Sequence, residues 1–175
     1  VFKAASDTQT PQGVLCVVRR QPCTLDMFLK AAAPLILVLE NLQDPGNLGT
    51  ILRTAEGAGV TGVILSKGSV DLYNPKTIRS TMGSVYRVPA LYVENLFETL
   101  ETLRSRGVRS LAAHLKGERF YDQEDYREGT AFLIGNEANG LTEELSEAAD
   151  TLIRIPMEGR LESLNAGVAA SILMY

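Results

Sequence analysis

Five consecutive apolar residues, Leu35–Leu39, place the strongest constraint on how this chain can fold. They stand between Pro34 and the polar Glu40, and no position in the run offers a polar face to water. Such a strand is typical of a parallel sheet that is covered by helices on both faces. Two other short runs, Val63–Leu65 and Ala131–Ile134, share the pattern. The sequence therefore predicts an α/β fold with a mostly parallel sheet and helices on both faces.

Helical and extended segments alternate along the rest of the chain. Potential N-caps precede several helical patterns, and glycines follow two of them as stop signals. Further extended segments are predicted at Val14–Val18, Tyr86–Leu91, Ser110–Ala113 and Leu152–Ile155. Helices are predicted at Leu25–Ala32, from a cap at Asn47 through Ala58, at Pro75–Met82, at Leu96–Arg106, from Thr142 and from Leu164 onward.

The composition is that of one globular domain, because 45% of the 175 residues are hydrophobic and 22% are charged. The chain has no apolar stretch of about 18 residues, as a membrane span requires, and no pattern of a signal peptide. Its two cysteines, Cys16 and Cys23, and its single histidine, His114, do not have the spacing of a zinc site. We therefore expect a cytoplasmic protein that binds neither a membrane nor a metal.

The net charge of −4 is distributed unevenly. Residues 1–90 carry nine basic and six acidic side chains, whereas residues 91–175 carry eight basic and fifteen acidic ones. The acidic second half is therefore excluded as a general surface for polyanions. If nucleic acid is the partner, the first half should face it.

Three loops that follow predicted strands, Glu40–Arg53, Gly135–Gly140 and Pro156–Asn165, contain most of the candidate functional residues. Ligands of parallel sheets bind at the carboxyl ends of the strands, where these loops should lie. In the first loop, Asn47 stands at a predicted helix start, whose free N–H groups suit an anion such as phosphate, and Arg53 lies further along the helix. From the local pattern alone, an ordinary cap and a solvated arginine are favoured for these two residues, because both are common.

The second loop has glycines at both ends. Gly135 and Gly140 allow tight turns and a close approach of the backbone to a ligand. Glu137 between them could orient a ligand or a neighbouring arginine, or it could be a solvated carboxylate. The loop lacks the G-x-G-x-x-G fingerprint of dinucleotide-binding folds, which disfavours a nicotinamide-dependent enzyme.

The third loop contains Ser163, which could cap the final helix and place Asn165 in its first turn. A serine without a basic partner is a poor nucleophile, and His114 stands on a different segment of the chain. The pattern therefore argues against serine hydrolysis.

The three loops resemble a known family. Their motifs are Asn47-x-Gly49-x-x-x-Arg53-Thr54-Ala55, Ile134-Gly135-Asn136-Glu137-x-x-Gly140-Leu141, and Ile155-Pro156-Met157-x-Gly159 followed by Ser163-Leu164-Asn165. In order and spacing they resemble the motifs of the SpoU (TrmH-like) RNA ribose methyltransferases of the SPOUT superfamily. The resemblance extends from about Leu35 to the end of the sequence.

This resemblance implies a deep C-terminal trefoil knot, whereas the pattern alone predicts an open doubly wound sheet. It further implies a homodimer with a shared site, S-adenosylmethionine as the methyl donor, and methylation of a ribose 2′-hydroxyl of RNA. By the same resemblance, residues 1–12 are a linker from a missing N-terminal substrate-binding domain and residues 13–175 are the catalytic domain. Ribosomal RNA is then favoured over transfer RNA. A catalytically silent RNA-binding protein of the same fold is the alternative.

The resemblance also assigns site residues. The catalytic positions are Asn47, Arg53, Glu137, Ser163 and Asn165. The positions that should hold the donor are Leu133, Gly135, Asn136, Gly140, Ile155, Met157 and Leu164.

The roles of these residues follow from the weak acidity of a ribose hydroxyl. Arg53 is expected to stabilise the developing alkoxide, with general base as the second interpretation, because a guanidinium normally stays protonated. Glu137 is expected to orient Arg53 or a partner group, and Ser163 and Asn165 to position the ribose and the methionine end. The expected RNA face consists of Arg53, Lys76, Arg79 and Arg87, and the expected dimer contact of Val168, Ile172 and Leu173.

Overall fold

The structure, a computed structural model, describes Thr10, residues 13–161 and residues 163–175. Within these residues, one sheet of parallel strands runs in the order β3–β2–β1–β6–β4–β7–β5. The strands are β1 Leu35–Leu39, β2 Gly62–Ser66, β3 Ala90–Val93, β4 Arg109–Ala113, β5 Arg119–Phe120, β6 Thr130–Ile134 and β7 Thr151–Arg154.

The register of the central strands aligns their carboxyl ends. Leu39 at the end of β1 pairs with Ile134 at the end of β6. Ala112 in β4 pairs with Leu133 in β6 and with Leu152 in β7. The loops that follow these four strands therefore leave the sheet at one edge, as the sequence predicted for the three motif loops.

Helices cover both faces of the sheet, which confirms the predicted α/β class. In the described residues they are α1 Leu25–Phe28, α2 Pro45–Ala58, α3 Pro75–Ser80, α4 Leu96–Ser105, α5 Glu143–Ala148 and α6 Ala166–Met174. Because side chains alternate along a strand, Leu37 and Leu39 pack with α2 and α6, and Ile36 and Val38 pack with α1, α4 and α5. All four side chains are fully buried, so β1 is apolar on both faces for the reason that the sequence indicated.

Two predicted extended segments are wrong. Val14–Val18 has no secondary structure and is exposed, Val17 to 96%, because no sheet edge among the described residues pairs with it. Most of Tyr86–Leu91 is also not a strand, since Ser84–Tyr86 forms a 3₁₀ turn and β3 begins only at Ala90. The short strand β5 was not predicted.

Several helix ends also differ from the prediction. The first helix ends at Phe28 rather than Ala32, and α3 ends at Ser80 because Met82 and Gly83 both have positive φ angles. The Gly59 stop is confirmed by its left-handed φ of 74°.

Helices α2 and α6 are capped by residues other than the predicted ones. Asp44, not Asn47, caps α2, because its Oδ1 accepts a hydrogen bond from the Asn47 N–H at 2.7 Å and Pro45 occupies the first turn. Asn165, not Ser163, caps α6, and its Oδ1 accepts from the N–H groups of Gly167 and Val168. Asn47 therefore lies within the first turn of α2 instead of capping it, and Asn165 caps α6 instead of lying in its first turn.

Three further sequence expectations can be compared with the fold. The G-x-G-x-x-G spacing does occur, at Gly57–Gly62, but there it joins the end of α2 to β2, whereas the dinucleotide fingerprint follows a strand and opens a helix. Among the described residues, none of the helices combines the length and the hydropathy that a membrane span requires. The predicted linker 1–12 lies, apart from Thr10, outside the described residues.

Candidate active site

A cavity of about 340 Å³ opens at the carboxyl ends of β4, β6 and β7. Its volume is within the range of ~300–1,000 Å³ that is typical of small-molecule sites. Its walls come from the end of β4, the loop after β6, and the segment from the end of β7 into α6. The lining residues are Ala113, His114, Leu115, Ile134, Gly135, Asn136, Glu137, Ala138, Asn139, Gly140, Leu141, Ile153, Arg154, Ile155, Met157, Ser163, Leu164, Ala166 and Ala169.

Six of the seven residues predicted to hold a donor line this cavity. They are Gly135, Asn136, Gly140, Ile155, Met157 and Leu164. The seventh, Leu133, does not line it, because its side chain is fully buried on the opposite face of the sheet with Ile36 and Val38. Ile134, the next residue along β6, lines the cavity instead, as the alternation of side chains along a strand requires.

The loop after β6 is folded tightly on itself. Asn136 and Gly140 exchange two backbone hydrogen bonds, at 3.0 and 2.8 Å, and the Asn136 Oδ1 accepts from the N–H groups of Ala138 and Asn139. A Cβ atom on Gly135 would lie 2.0 Å from the backbone of Gly140 and Leu141. Glycine at 135 is therefore required by close backbone packing within the cavity wall.

Glu137 connects this loop to the first motif loop. Its carboxylate accepts hydrogen bonds from the Gln43 N–H at 3.0 Å, the Asp44 N–H at 2.9 Å and the Asn47 Nδ2 at 3.0 Å. Partial burial by itself would raise the pKa of Glu137, but hydrogen bonds from Gln43, Asn47 and Asp44 outweigh it and hold the pKa below its ordinary value. Glu137 is thus a fixed carboxylate, and its hydrogen bonds hold the start of α2 against the loop after β6.

Asn165 connects the third motif loop to the same point. Its Nδ2 donates to the Asn47 Oδ1 at 2.9 Å, while its Oδ1 caps α6. Both ends of the Asn47 amide are consequently used, one by Glu137 and the other by Asn165. We call Glu137, Asn47 and Asn165 the amide–carboxylate network; it joins the three loops that the sequence singled out.

Ser163 and Arg53 are placed differently from this network. Ser163 is exposed and lines the cavity, and it makes no hydrogen bond to any described residue. Arg53 is exposed in the third turn of α2, does not line the cavity, and forms no ion pair with any described residue. Of the two groups that Glu137 was expected to orient, Arg53 or a partner group, the structure shows the second: within this chain the carboxylate binds the Asn47 amide and the N–H groups of Gln43 and Asp44, and it makes no ion pair with Arg53.

The sequence did not single out His114 as part of this cavity. Its position directly after the predicted strand Ser110–Ala113 was the available signal, since strand ends of a parallel sheet meet at one edge. Gln43 and Asp44 were also missed, because they bind Glu137 through backbone N–H groups, which carry no signal in side-chain identity.

Known proteins are similar to this chain in sequence and in fold. The model of the SpoU rRNA methylase family matches residues 34–175. The chain is 37% identical over 174 residues to 23S rRNA (guanosine(2553)-2′-O)-methyltransferase RlmP of Bacillus subtilis (strain 168), covering 99% of this chain and 68% of that protein.

Two solved structures are similar as well. The SpoU methyltransferase AviRb from Streptomyces viridochromogenes superimposes with a TM-score of 0.82 at 31% identity, over 88% of this chain and 62% of that one. An AdoMet-bound rRNA methyltransferase from Sinorhizobium meliloti gives a TM-score of 0.77 at 39% identity, over 82% of this chain and 55% of that one. The chain thus spans about two thirds or less of the length of these relatives, and it belongs to the SpoU rRNA methylase family.

Proposed function

We propose that this chain is the methyltransferase domain of an S-adenosylmethionine-dependent enzyme that methylates a ribose 2′-hydroxyl of RNA. The observation that carries the proposal is the amide–carboxylate network, which joins all three motif loops at one side of a small-molecule cavity. The names of the relatives, a 23S rRNA 2′-O-methyltransferase and an AdoMet-bound rRNA methyltransferase, support the same reaction.

The cavity fits such a donor. Backbone of the Gly135–Gly140 loop forms one wall, and the side chains of Ile134, Ile155 and Met157 supply apolar surface. Gly135 and Gly140 carry no side chains, so an adenine or a ribose would contact the loop backbone itself at these two positions. When bound, S-adenosylmethionine supplies a methyl group that is already activated by the positive sulfur.

The chain's own residues position the reactants and stabilise charge. Glu137 fixes the Asn47 amide, which in turn fixes Asn165, so the orientation of both amides is set before any ligand binds. Ser163 and Asn165 position the ribose of the RNA and the methionine end of the donor. Arg53 stabilises the negative charge that develops on the ribose oxygen, because a guanidinium that stays protonated is suited to that role and not to proton abstraction.

Arg53 reaches the reaction from a second copy of the chain. Arg53 is exposed on α2 and lies outside its own cavity. Val168 on α6, which packs against α2, is 46% exposed, and Tyr175, directly after α6, is 84% exposed. A two-fold dimer would cover these apolar side chains and bring the Arg53 of one copy to the cavity of the other. Of the residues expected in the dimer contact, Leu173 is instead buried within its own chain, in the core beneath α6.

The RNA should approach the face that contains α2, α3 and the following turn. Arg53, Lys76, Arg79 and Arg87 are all exposed there, and α3 packs against α2. Arg87 forms an ion pair with Glu56, and hydrogen bonds from Arg87 and Ser84 lower the pKa of Glu56 to about 2. Glu56 thus offsets the positive charge of Arg87, so Arg87 should attract RNA less strongly than Arg79 does.

We further propose ribosomal RNA as the substrate, a cytoplasmic location, and residues 13–175 as a catalytic domain that residues 1–12 link to an N-terminal substrate-binding domain. The functions in the relatives' names and their greater length support these assignments. We also propose that the C-terminal segment forms a trefoil knot. Its support is that β6 inserts between β1 and β4, and that α6 returns to pack on α2. An experimentally traced backbone of residues 130–175 tests the knot.

The function is tested by ligand binding followed by product mapping. Isothermal calorimetry should detect binding of S-adenosylmethionine and S-adenosylhomocysteine, and no binding of nicotinamide dinucleotides. Gly135→Ala should abolish donor binding, whereas Gly159→Ala, whose Cβ would meet no atom within 4 Å, should retain it. Mapping of 2′-O-methyl groups in cellular RNA with and without the gene should then show one lost site in ribosomal RNA. If the lost site is in transfer RNA, the substrate is transfer RNA and not ribosomal RNA. If the protein binds the donor but no methylated site is lost, it is a catalytically silent protein of the same fold.

A further inference from the structure

His114 lies in the wall of the cavity, although it belongs to none of the three motif loops. It directly follows β4, and its backbone N–H donates to the Ile153 carbonyl of β7 at 2.9 Å. The Gly117 N–H donates to the His114 carbonyl at 3.0 Å and closes a turn. A Cβ on Gly117 would lie 2.7 Å from the Ile153 carbonyl carbon, so this turn is packed tightly against β7.

The hydrogen bonding of the ring defines which nitrogen can serve a ligand. The Lys116 backbone N–H donates to the His114 Nδ1 at 3.1 Å, so Nδ1 is an acceptor. In a neutral imidazole the proton then resides on Nε2. Nε2 has no hydrogen-bond partner among the described residues, and its N–H is the group of this ring that remains to serve the cavity.

The position of His114 in the sheet shows which part of a donor it would meet. The network of Asn47, Glu137 and Asn165 lies beside the ends of β1 and β6, whereas β4 is the second strand from β1. Adjacent strands are about 4.8 Å apart, so the end of β4 is about 10 Å from the end of β1. The methyl group of the donor is on its central sulfur, between the methionine chain and adenosine. If the methionine end lies at Ser163 and Asn165, as proposed above, a methyl group that is transferred beside the network places the adenosine toward β4 and His114.

We propose that the Nε2–H of His114 donates a hydrogen bond to the adenosine part of the methyl donor, at a ring nitrogen of adenine or a ribose oxygen. The inference rests on the proposed function, and it adds a donor-binding residue that the motifs do not contain. The alternative is that His114 serves only its turn, through Nδ1, while Nε2 contacts water.

The single histidine permits a direct test by NMR. A tag-free protein labelled with ¹⁵N in the imidazole ring contains one histidine signal set, because His114 is the only histidine of the sequence. When the ring is neutral, the free protein should show an unprotonated Nδ1 and a protonated Nε2. S-adenosylhomocysteine and 5′-methylthioadenosine, which share the nucleoside, should both shift the Nε2–H signal, whereas methionine should leave it unchanged.

A matched set of variants tests the same contact in binding and turnover. His114→Asn keeps an oxygen that can accept from the Lys116 N–H and maintain the turn, but it lacks a donor at the position of Nε2. Its dissociation constant for S-adenosylhomocysteine should rise about three- to tenfold, the usual effect of one neutral hydrogen bond, and KM for the donor should rise more than kcat falls. Lys116→Ala retains the backbone N–H and should bind like the parent protein, with an unchanged thermal midpoint.

The outcomes separate this inference from the proposed function. If calorimetry detects no binding of S-adenosylhomocysteine, both are wrong. If the compound binds but the Nε2 signal does not move and His114→Asn binds with parental affinity, only the role of His114 is wrong. If methionine alone shifts the signal, His114 faces the other end of the donor and the assignment to adenosine is overturned.

Discussion

The first and third turns of helix α2 have opposite surroundings. Asn47, in the first turn, is bound by Glu137 and Asn165, which are 90 and 118 residues away in the sequence. Arg53, in the third turn, is exposed and lies outside the cavity of its own chain. Residues of one sequence motif therefore need not serve one site: the first turn is bound to the cavity loops of its own chain, while the third turn is exposed, and we propose that it acts on a second copy and on RNA.

Replacement of Arg53 should have the largest effect. Arg53→Ala removes a charge that we assign to the transition state, so turnover should fall by on the order of a hundredfold or more, as for the loss of one oxyanion donor. Donor affinity should not change, and stability should stay within about 0.5 kcal/mol, because the side chain is exposed. Steady-state kinetics, calorimetry and denaturant unfolding measure the three quantities.

The control for this variant is Arg106→Ala, an exposed arginine at the end of α4 that pairs with Asp26. It should retain parental turnover. If Arg53→Ala itself keeps near-parental turnover, Arg53 is an ordinary surface arginine with no role in the reaction.

Replacement of Glu137 should lower the stability of the folded protein and not only the rate of the chemical step. Glu137→Ala leaves the N–H groups of Gln43 and Asp44 and the Asn47 amide without their acceptor. The loss should be about 1–2 kcal/mol, because the groups are partly exposed and water replaces some of the bonds. Denaturant unfolding measures it against Glu158→Ala, an exposed carboxylate of the third loop that should change stability by less than about 0.5 kcal/mol. Equal effects of the two variants would mean that Glu137 does not hold the start of α2 in place.

The coupling between Asn47 and Asn165 should be smaller. A double-mutant cycle with Asn47→Ala and Asn165→Ala should give an interaction energy of about 0.5–1.5 kcal/mol, since the two amides share one hydrogen bond. Thr50→Ala paired with Asn165→Ala is the control cycle, because Thr50 lies one turn further along α2 and makes no hydrogen bond with Asn165 among the described residues. An additive result for Asn47 and Asn165 would contradict the network.

The pH dependence should be the smallest effect. Because the pKa of Glu137 is lower in the folded protein than in the unfolded chain, its ionised form contributes stability above the unfolded pKa of about 4.3, and that contribution is lost as the pH falls through the folded pKa. The difference in unfolding free energy between the parent and Glu137→Gln should therefore be constant near pH 7 and shrink below about pH 4.3. Other carboxylates, such as Asp150, titrate in both proteins and cancel. If the difference in unfolding free energy grows as the pH falls, the pKa of Glu137 is raised and not lowered by folding.

Much of the fold was predictable because short apolar runs such as Leu35–Leu39 form strands only when both faces are covered, and local helix patterns agree with that arrangement. Val14–Val18 was predicted wrongly for the converse reason: an apolar run is not a strand unless an edge is available to it. The order of the strands, with β6 between β1 and β4, is a long-range property that no local pattern contains.

The site was predicted in part. Motif spacing identified part of the cavity lining, including six of the seven predicted donor-binding residues. It could not reveal that Asp44 rather than Asn47 caps α2, since both residue types are good caps. It also could not show that Glu137 is held by two backbone N–H groups and not by Arg53, because hydrogen bonds from backbone depend on the folded path and not on side-chain identity.

The contrast between the two turns of α2 is tested by subunit complementation. Arg53→Ala lacks the charge but has an intact cavity, whereas Gly135→Ala lacks the cavity but retains Arg53. The two variants are co-expressed with different tags, and mixed dimers are purified through both tags after light scattering has established that each variant dimerises. If Arg53 acts in the cavity of the other copy, each mixed dimer holds one complete site and should show about half the turnover of the parent dimer, although either variant alone is nearly inactive. Mixed dimers that are no more active than the two variants alone would show that Arg53 acts within its own chain.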